Sequence, residues 1–197
     1  MKAFDVDHQL SFYGSYHNNK VNIIIHTICV PLILWSAFVF GSLIPTPWPA
    51  NVLPTIQLTS NLVFQPNVPA LVASIYQLYY FVLEPTAALL YVPQMIFMVL
   101  HATAFSHAAN GIKIAAWIHF FSWIAQFIGH GVAERRAPAL LDNILQAFVL
   151  APFFVHLETL FTLGYNPGLH KRIQNNVGLE IAKFRKAEAE KKRAKTA

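Results

Sequence analysis

Nine histidines are the residues of this chain most able to carry chemistry. They are His8, His17, His26, His101, His107, His119, His130, His156 and His170. Imidazole is the commonest metal ligand in proteins, and an ionisable side chain inside an apolar segment is costly and tends to mark function. A single histidine of this kind is more often a hydrogen-bonded packing residue, whereas several that converge favour a metal centre.

The spacing of the first pair sets a condition on the fold. His17 and His26 are nine residues apart, which places them on opposite faces of one continuous helix. If His17 instead lies in a turn before the helix, the two rings can converge. Asn22 is one helical turn before His26 and shares its face, so it could orient that ring.

The second pair lies near the other end of the chain. His119 and His130 are eleven residues apart, which puts them on one helix face but about 16 Å apart along the axis, too far to share one ion. Glu134 follows His130 by one turn and is predicted to be a metal ligand or a partner of one. Gly129 and Gly131 flank His130 and allow close approach of backbone or ligand.

The remaining histidines carry weaker signals. His101 and His107 are six residues apart, on different faces, and are interpreted as structural or luminal. For His156, polar packing and a supporting role both stay open. His8 and His170 are expected to be solvated.

Several common site patterns are absent from the sequence. There is no clustered HxxxH or HxxHH pattern of membrane di-iron desaturases, no HExxH zinc motif, no glycine-rich phosphate loop and no GxSxG elbow. Haem held by two histidines of facing helices remains an alternative.

The composition indicates which elements must position these histidines. Hydrophobic residues make up 55% of the 197 residues and charged residues 12%, against about 25% charged in ordinary soluble domains. Residues 21–83 contain no Asp, Glu, Lys or Arg. These features exclude a soluble enzyme, a nucleic-acid-binding module and a disordered protein, and they predict an all-α, polytopic integral membrane bundle.

The bundle is predicted to contain about four or five membrane segments. They are residues 21–44, 71–83, 87–108, 114–133 and 140–163. Glu84 and Pro85 interrupt the second apolar stretch, which is one broken helix or two segments. Pro152 interrupts the last one, which is a full span or a re-entrant hairpin. The proline-rich residues 45–69 are predicted to form a loop.

The charges indicate sidedness. Arg135 and Arg136 directly follow the fourth segment and indicate that its end is cytosolic. Residues 171–197 contain nine Lys or Arg and three Glu, which is typical of a basic cytosolic tail that faces anionic headgroups. Residues 1–170 are therefore predicted to form a single membrane domain that carries the candidate site. A cytosolic N-terminus then favours four crossings with a re-entrant final segment.

Two stretches of sequence resemble a known family. The residues FYGSYHNNKVNIIIH at positions 12–26, and WIAQFIGHGVAERRAPALLDN at positions 123–143, are similar to the signatures of a fungal and bacterial membrane family of 2-hydroxy fatty acid dioxygenases. The match covers about a third of the chain.

The resemblance implies an activity and a location. It implies an iron enzyme that uses Fe(II), that is Fe²⁺, to split a long-chain 2-hydroxy fatty acid with O₂ into the one-carbon-shorter acid and CO₂. Its context would be sphingolipid breakdown in the endoplasmic reticulum membrane. His17, His26 and His130 lie inside the matched stretches, so the resemblance makes them the expected metal ligands.

Other residues of the second stretch receive roles that stay open. Glu134, with Arg135 or Arg136, is a catalytic candidate; either arginine could bind the substrate carboxylate or serve only as a membrane anchor. Gln126 and Asp142 are candidates for supporting contacts. A haem-binding electron-transfer protein and a non-catalytic lipid-binding scaffold remain as alternatives.

Overall fold

A computed structural model of the protein describes residues 2–46, 54–136 and 146–196. Helices dominate, and the only strands among these residues form one two-stranded ribbon. The helices are α1 Val6–Tyr16, α2 Lys20–Gly41, α3 Val68–Leu83, α4 Pro85–Ser106, α5 Gly111–Ile128, α6 Ala151–Thr162 and α7 Pro167–Thr196. The prediction of an all-α bundle is confirmed.

A short turn separates the first two helices. Helix α1 begins after Asp5, whose side chain accepts a hydrogen bond from the backbone N–H of His8, and α2 begins after Asn19, which caps the N–H of Val21 in the same way. Both are favoured N-cap residues. His17 therefore lies in the turn before α2, the arrangement that allows it to approach His26.

The second apolar stretch forms two helices. Glu84 has an extended backbone and its carboxylate caps the N–H of Ala87, so α3 ends and α4 begins at this residue. The two helices fold back on each other, and Nε2 of Gln77 donates to the carbonyl of Ala88 at 2.7 Å.

The proline-rich region contains structure that the sequence interpretation missed. Strands β1 Ile56–Thr59 and β2 Leu62–Phe64 pair antiparallel, with Ile56 opposite Phe64. Short runs of β-branched and apolar residues around a polar turn favour such a hairpin, and it packs against α4. Residues 45–46 and 54–67 of this region are thus not helical, as predicted, but they do not form only a loop. Residues 47–53 lie outside the described residues, and residues 68–69 already belong to α3.

Helices α2 and α5 are antiparallel neighbours and position most of the site. The Oγ of Ser36 lies 2.9 Å from Nδ1 of His119 at one end of the pair, and Asn22 lies against Gly129 at the other. Helix α5 continues directly into a π-helical turn, Gly129–Glu134, that carries His130.

The C-terminal part folds over α1. A π-helical turn, Gln146–Leu150, leads into α6, and the chain then bends by 118° into α7. Helix α7 lies against α1, with Arg172 bound to Asp7 at 2.8 Å and Val177 facing Gly14. The predicted start of the last apolar segment, at residue 140, lies outside the described residues.

Within the described part of the chain, three helices are long and apolar enough to cross a membrane: Lys20–Gly41, Pro85–Ser106 and Gly111–Glu134. A fourth is reached if the bent pair Phe148–Thr162 and Pro167–Ala194 counts as one broken span, while α3 is shorter. Outward-facing side chains such as Trp117 and Leu78 are more than 60% exposed. So much exposed apolar surface requires a lipid surround.

Asn67 provides a test of this packing. It is 1% exposed, caps the N–H of Ala70, and donates to the hydroxyls of Thr103 and Ser42. Asn67→Ala removes the helix cap and both hydrogen bonds to the hydroxyls, and it is expected to lower the free energy of unfolding by about 1–3 kcal/mol. Thermal unfolding in detergent measures the change. Asn61→Ala, at an exposed position of the β-hairpin turn, is the control; equal melting temperatures would contradict the prediction.

Candidate metal centre

Three histidines from three parts of the chain meet in one place. His17 follows α1, His26 lies in α2 and His130 lies in the π-helical turn after α5. Their ring centres are 4.3–4.9 Å apart, and one ring nitrogen of each lies within 4.8 Å of the others. Among the residues that the structure describes, this is the one group of three or more His, Cys, Asp or Glu side chains with such spacing.

Backbone carbonyls orient two of the rings. Nδ1 of His17 lies 2.9 Å from the carbonyl oxygen of Tyr13, and Nδ1 of His26 lies 3.0 Å from that of Asn22. A carbonyl oxygen can only accept, so we assign the hydrogen of each neutral ring to Nδ1. Nε2 of both rings then keeps its lone pair, as a metal ligand must.

The ring of His130 gives the clearest indication that the site binds a further partner. Nδ1 of His130 is buried and has no hydrogen-bond partner among the described residues. A buried polar atom without a partner is costly and calls for an explanation. A metal ion bound between the rings would provide one. The π-helical geometry of this turn fits, since such turns occur frequently at functional sites.

The surroundings of His17 favour its neutral form. Burial, and secondly the neighbouring His26 ring, lower the pKa of His17 well below its usual value, although its bond to the Tyr13 carbonyl acts in the opposite direction. The imidazole is therefore uncharged at neutral pH, which is the state that binds a metal.

Glu134 does not join the histidine group but holds the turn that carries His17. Its carboxylate accepts hydrogen bonds from the backbone N–H of Asn18 and Asn19 and from Nδ2 of Asn22, at 3.0–3.2 Å. Asn19 in return donates to the carbonyl of Ala133 at 3.0 Å. These bonds join the end of the π-helical turn to the start of α2. The backbone carbonyl of Asn22, not its side chain, orients His26. The Asn22 side chain binds Glu134 and so helps to join the two segments.

The two arginines differ in their surroundings. Nη1 of Arg136 donates to the carbonyl of Ser15 at 2.7 Å, and its guanidinium lies between the rings of Tyr16 and Phe184, 3.5 and 4.0 Å from their centres. Arg135 has a positive φ of 55° and is exposed. Neither lines the cavity beside the histidines, so a role in binding the substrate carboxylate stays a prediction. Asp142 lies outside the described residues.

A cavity of about 160 Å³ extends from the histidines along α2 and α5. Gln126, predicted to support the site, is buried and lines it, and His119 lines it too. As expected from their spacing, His119 and His130 face the same space without sharing a site. Tyr13 and Trp123 also line the cavity and were not identified as site residues. The available sequence signal was that Tyr13 lies one helical turn before His17 and that Trp123 lies one turn after His119.

The other histidines lie outside the group. Nδ1 of His101 accepts a hydrogen bond from Nε1 of Trp35 at 3.0 Å, and Nε2 of His156 lies 3.2 Å from the carbonyl of Ala87. These are packing contacts. For His156 they favour polar packing over a supporting role at the site. His170 is not simply solvated as expected, because its partly buried ring stacks on Phe161.

Comparison with known proteins agrees with this geometry. Residues 3–163 match the family model described as Mpo1-like, 2-hydroxy-palmitic acid dioxygenase Mpo1-like. The chain is 32% identical over 182 residues to the 2-hydroxy-palmitic acid dioxygenase MPO1 of Saccharomyces cerevisiae, covering 92% of this chain and 94% of the relative. No solved structure matches the chain.

Glu134 is expected to control metal affinity without binding the metal. Glu134→Ala removes the acceptor for three N–H groups at the turn after His17, so the affinity for Fe(II) or Co(II) should fall about 10–100-fold. Glu134→Gln keeps one carbonyl acceptor, so its metal affinity should fall less. Anaerobic titration of the purified protein measures both, with Glu180→Ala in the exposed part of α7 as the control. An unchanged affinity in Glu134→Ala would refute the role.

The glycines around His130 offer a matched pair. A Cβ at Gly129 would lie 2.5 Å from Oδ1 of the buried Asn22, whereas a Cβ at Gly131 would meet nothing within 4 Å. Gly129→Ala is expected to displace Asn22 and lower both the melting temperature and the metal affinity, because buried packing has little room for an added methyl. Gly131→Ala should leave both nearly unchanged. Equal behaviour of the two variants would contradict this account of the close approach.

Proposed function

Because the chain belongs to the Mpo1-like family of 2-hydroxy-palmitic acid dioxygenases, we propose that it cleaves long-chain 2-hydroxy fatty acids with O₂ in an iron-dependent reaction. The C1–C2 bond breaks, C1 leaves as CO₂ and C2 becomes the carboxyl carbon of the one-carbon-shorter acid, with water completing the balance. The substrate itself supplies the electrons that O₂ accepts, so no further reductant is required.

The histidine group at the end of an apolar cavity is the observation that carries the proposal. His17, His26 and His130 would hold the ion. Fe(II) accepts imidazole ligands, and three of them leave coordination positions open. When bound, the ion would supply the site at which the hydroxy acid and O₂ are brought together. Imidazole also suits zinc and copper, so the choice of iron rests on the dioxygenase family rather than on the donor set.

The charge of the group fits an anionic substrate. No carboxylate lies among the three ligand candidates, and neutral imidazoles leave the charge of a divalent cation uncompensated. A 2-hydroxy acid offers its hydroxyl and one carboxylate oxygen to such a site. Tyr13 stacks on His17 with ring centres 3.9 Å apart and, together with Gln126, lines the same end of the cavity. Tyr13 and Gln126 would therefore be the hydrogen-bond donors for the second carboxylate oxygen.

The alternative of a haem protein fits this geometry less well. A haem with two histidine ligands needs its macrocycle between the two rings. The rings of His17, His26 and His130 contact one another edge to face, which leaves no space for a porphyrin plane. We also propose that the protein lies in the endoplasmic reticulum membrane with α7 in the cytosol. The apolar helices support a membrane location, and the choice of the endoplasmic reticulum rests on the family resemblance. The positive charge of α7 supports its cytosolic side.

Replacing any one of His17, His26 and His130 by Ala is expected to abolish turnover, because each removes a metal ligand. Oxygen consumption and pentadecanoic acid formation are measured with purified protein and 2-hydroxypalmitate, with Fe(II) or Zn(II) added. His107→Ala, at an exposed helix end, is the control.

The outcomes separate the candidates. Iron-dependent formation of the C15 acid, lost in the three variants alone, supports the dioxygenase. A Soret absorbance of the purified protein would favour haem. Folded, iron-loaded protein without turnover would overturn the proposal and favour a lipid-binding scaffold.

A further inference from the structure

We propose that the alkyl chain of the substrate lies in a groove between α2 and α5, which we call the α2–α5 groove. Its head group would sit at the histidines, and its methyl end would leave into the bilayer beside Ala37. This inference rests on the proposed function, since it takes the 2-hydroxy fatty acid as the ligand. It adds where the alkyl chain binds and how much of that chain the protein contacts.

The two walls of the groove have the same residue spacing. On α2 the lining residues are His26, Val30, Ile33, Leu34 and Ala37. On α5 and the π-helical turn that continues it they are His119, Trp123, Gln126, Phe127 and His130. Both sets follow the pattern i, i+4, i+7, i+8, i+11, which is one face of a helix. Eleven residues at about 1.5 Å per residue give a groove about 16 Å long. Because the helices are antiparallel, His26 and His130 share one end, and Ala37 and His119 share the other.

Most polar groups that line the groove lie at its first end. They are the three histidines, Tyr13 and Gln126, while Tyr76 of α3 also lines the cavity. At the far end His119 is already saturated, because Nε2 accepts from Nε1 of Trp123 at 3.0 Å. Nδ1 must then carry the hydrogen and donate to Oγ of Ser36 at 2.9 Å. Beyond the head group, the groove therefore suits an unsubstituted alkyl chain.

The groove opens sideways toward lipid rather than enclosing its ligand. Ala37 is exposed, and Phe127 and Phe148, which also line it, are 52% and 47% exposed. Its volume of about 160 Å³ is below the roughly 300–1,000 Å³ of pockets that bury a drug-sized ligand. Only the part of a long chain next to the head group fits inside, and the rest must lie among lipid tails.

The charged residues indicate how the ligand is oriented. Lys20, Glu134, Arg135 and Arg136 all lie at the histidine end of α2 and α5, where a membrane interface is expected. The carboxylate would thus remain at the interface while the chain points to the bilayer interior, as a fatty acid already does in a leaflet. Chain length beyond Ala37 should then matter little to the wild-type protein.

The test compares chain lengths in matched variants. Turnover is measured for 2-hydroxyoctanoate, 2-hydroxypalmitate and 2-hydroxytetracosanoate with the wild type, with Ala37→Phe, and with Ile28→Phe. Ile28 is a lipid-exposed position of the same helix outside the groove lining. In Ala37→Phe, kcat/KM should fall at least tenfold more for 2-hydroxypalmitate than for 2-hydroxyoctanoate. The Ile28→Phe variant and the wild type should treat the two long acids alike within about threefold. A loss that is equal for all chain lengths would overturn the inference.

A binding measurement keeps this test independent of turnover. A 2-hydroxy fatty acid brominated in the half of its chain next to the carboxyl should quench the fluorescence of Trp123, and a bromine at the methyl end should not. Trp123→Phe identifies the signal, and Ala37→Phe should weaken it. Quenching of this pattern without turnover would support the groove while refuting the dioxygenase. Turnover without position-dependent quenching would refute the groove alone.

Discussion

The carboxylate of Glu134 is the contact on which the geometry of the histidine group most depends. His17 lies in the turn between α1 and α2 and His26 lies in α2. His130 lies more than a hundred residues later, on a turn that no covalent feature ties to them. Glu134 joins that turn to the backbone of Asn18 and Asn19, at the N-terminus of α2, where the helix dipole favours an anion. This side chain thereby helps to fix the position of His130 relative to both other rings.

The π-helical turn contributes the second half of the same arrangement. Within the wider turn at Gly129–Glu134, Gly129 approaches Asn22 and Glu134 reaches α2. His130 meanwhile stays on the stripe of side chains that lines the groove. The absence of a side chain at Gly129 and the local π geometry are therefore two aspects of one close contact.

The site also depends on elements near the surface. Arg136 lies between Tyr16 and Phe184, so α7 covers the residue that directly precedes His17. The matched family model ends at residue 163, before α7 begins, yet this helix completes the packing around the α1–α2 turn. The histidines thus lie between this polar cover on one side and the apolar groove on the other.

Composition and local pattern determined much about this protein without its structure. Long uncharged segments have no stable alternative to membrane helices, and Asn19, Glu84 and Pro152 mark helix boundaries through capping and backbone restriction. The family motifs selected His17, His26 and His130, and helical spacing separated His119 from them. Tertiary structure alone decided the rest. It placed Glu134 on the α1–α2 turn, Arg136 between two rings, and Tyr13 and Trp123 in the groove, because each of these depends on which distant segment packs nearby. Sequence periodicity reports the face of one helix, whereas a site between helices is decided by the register with which they pack.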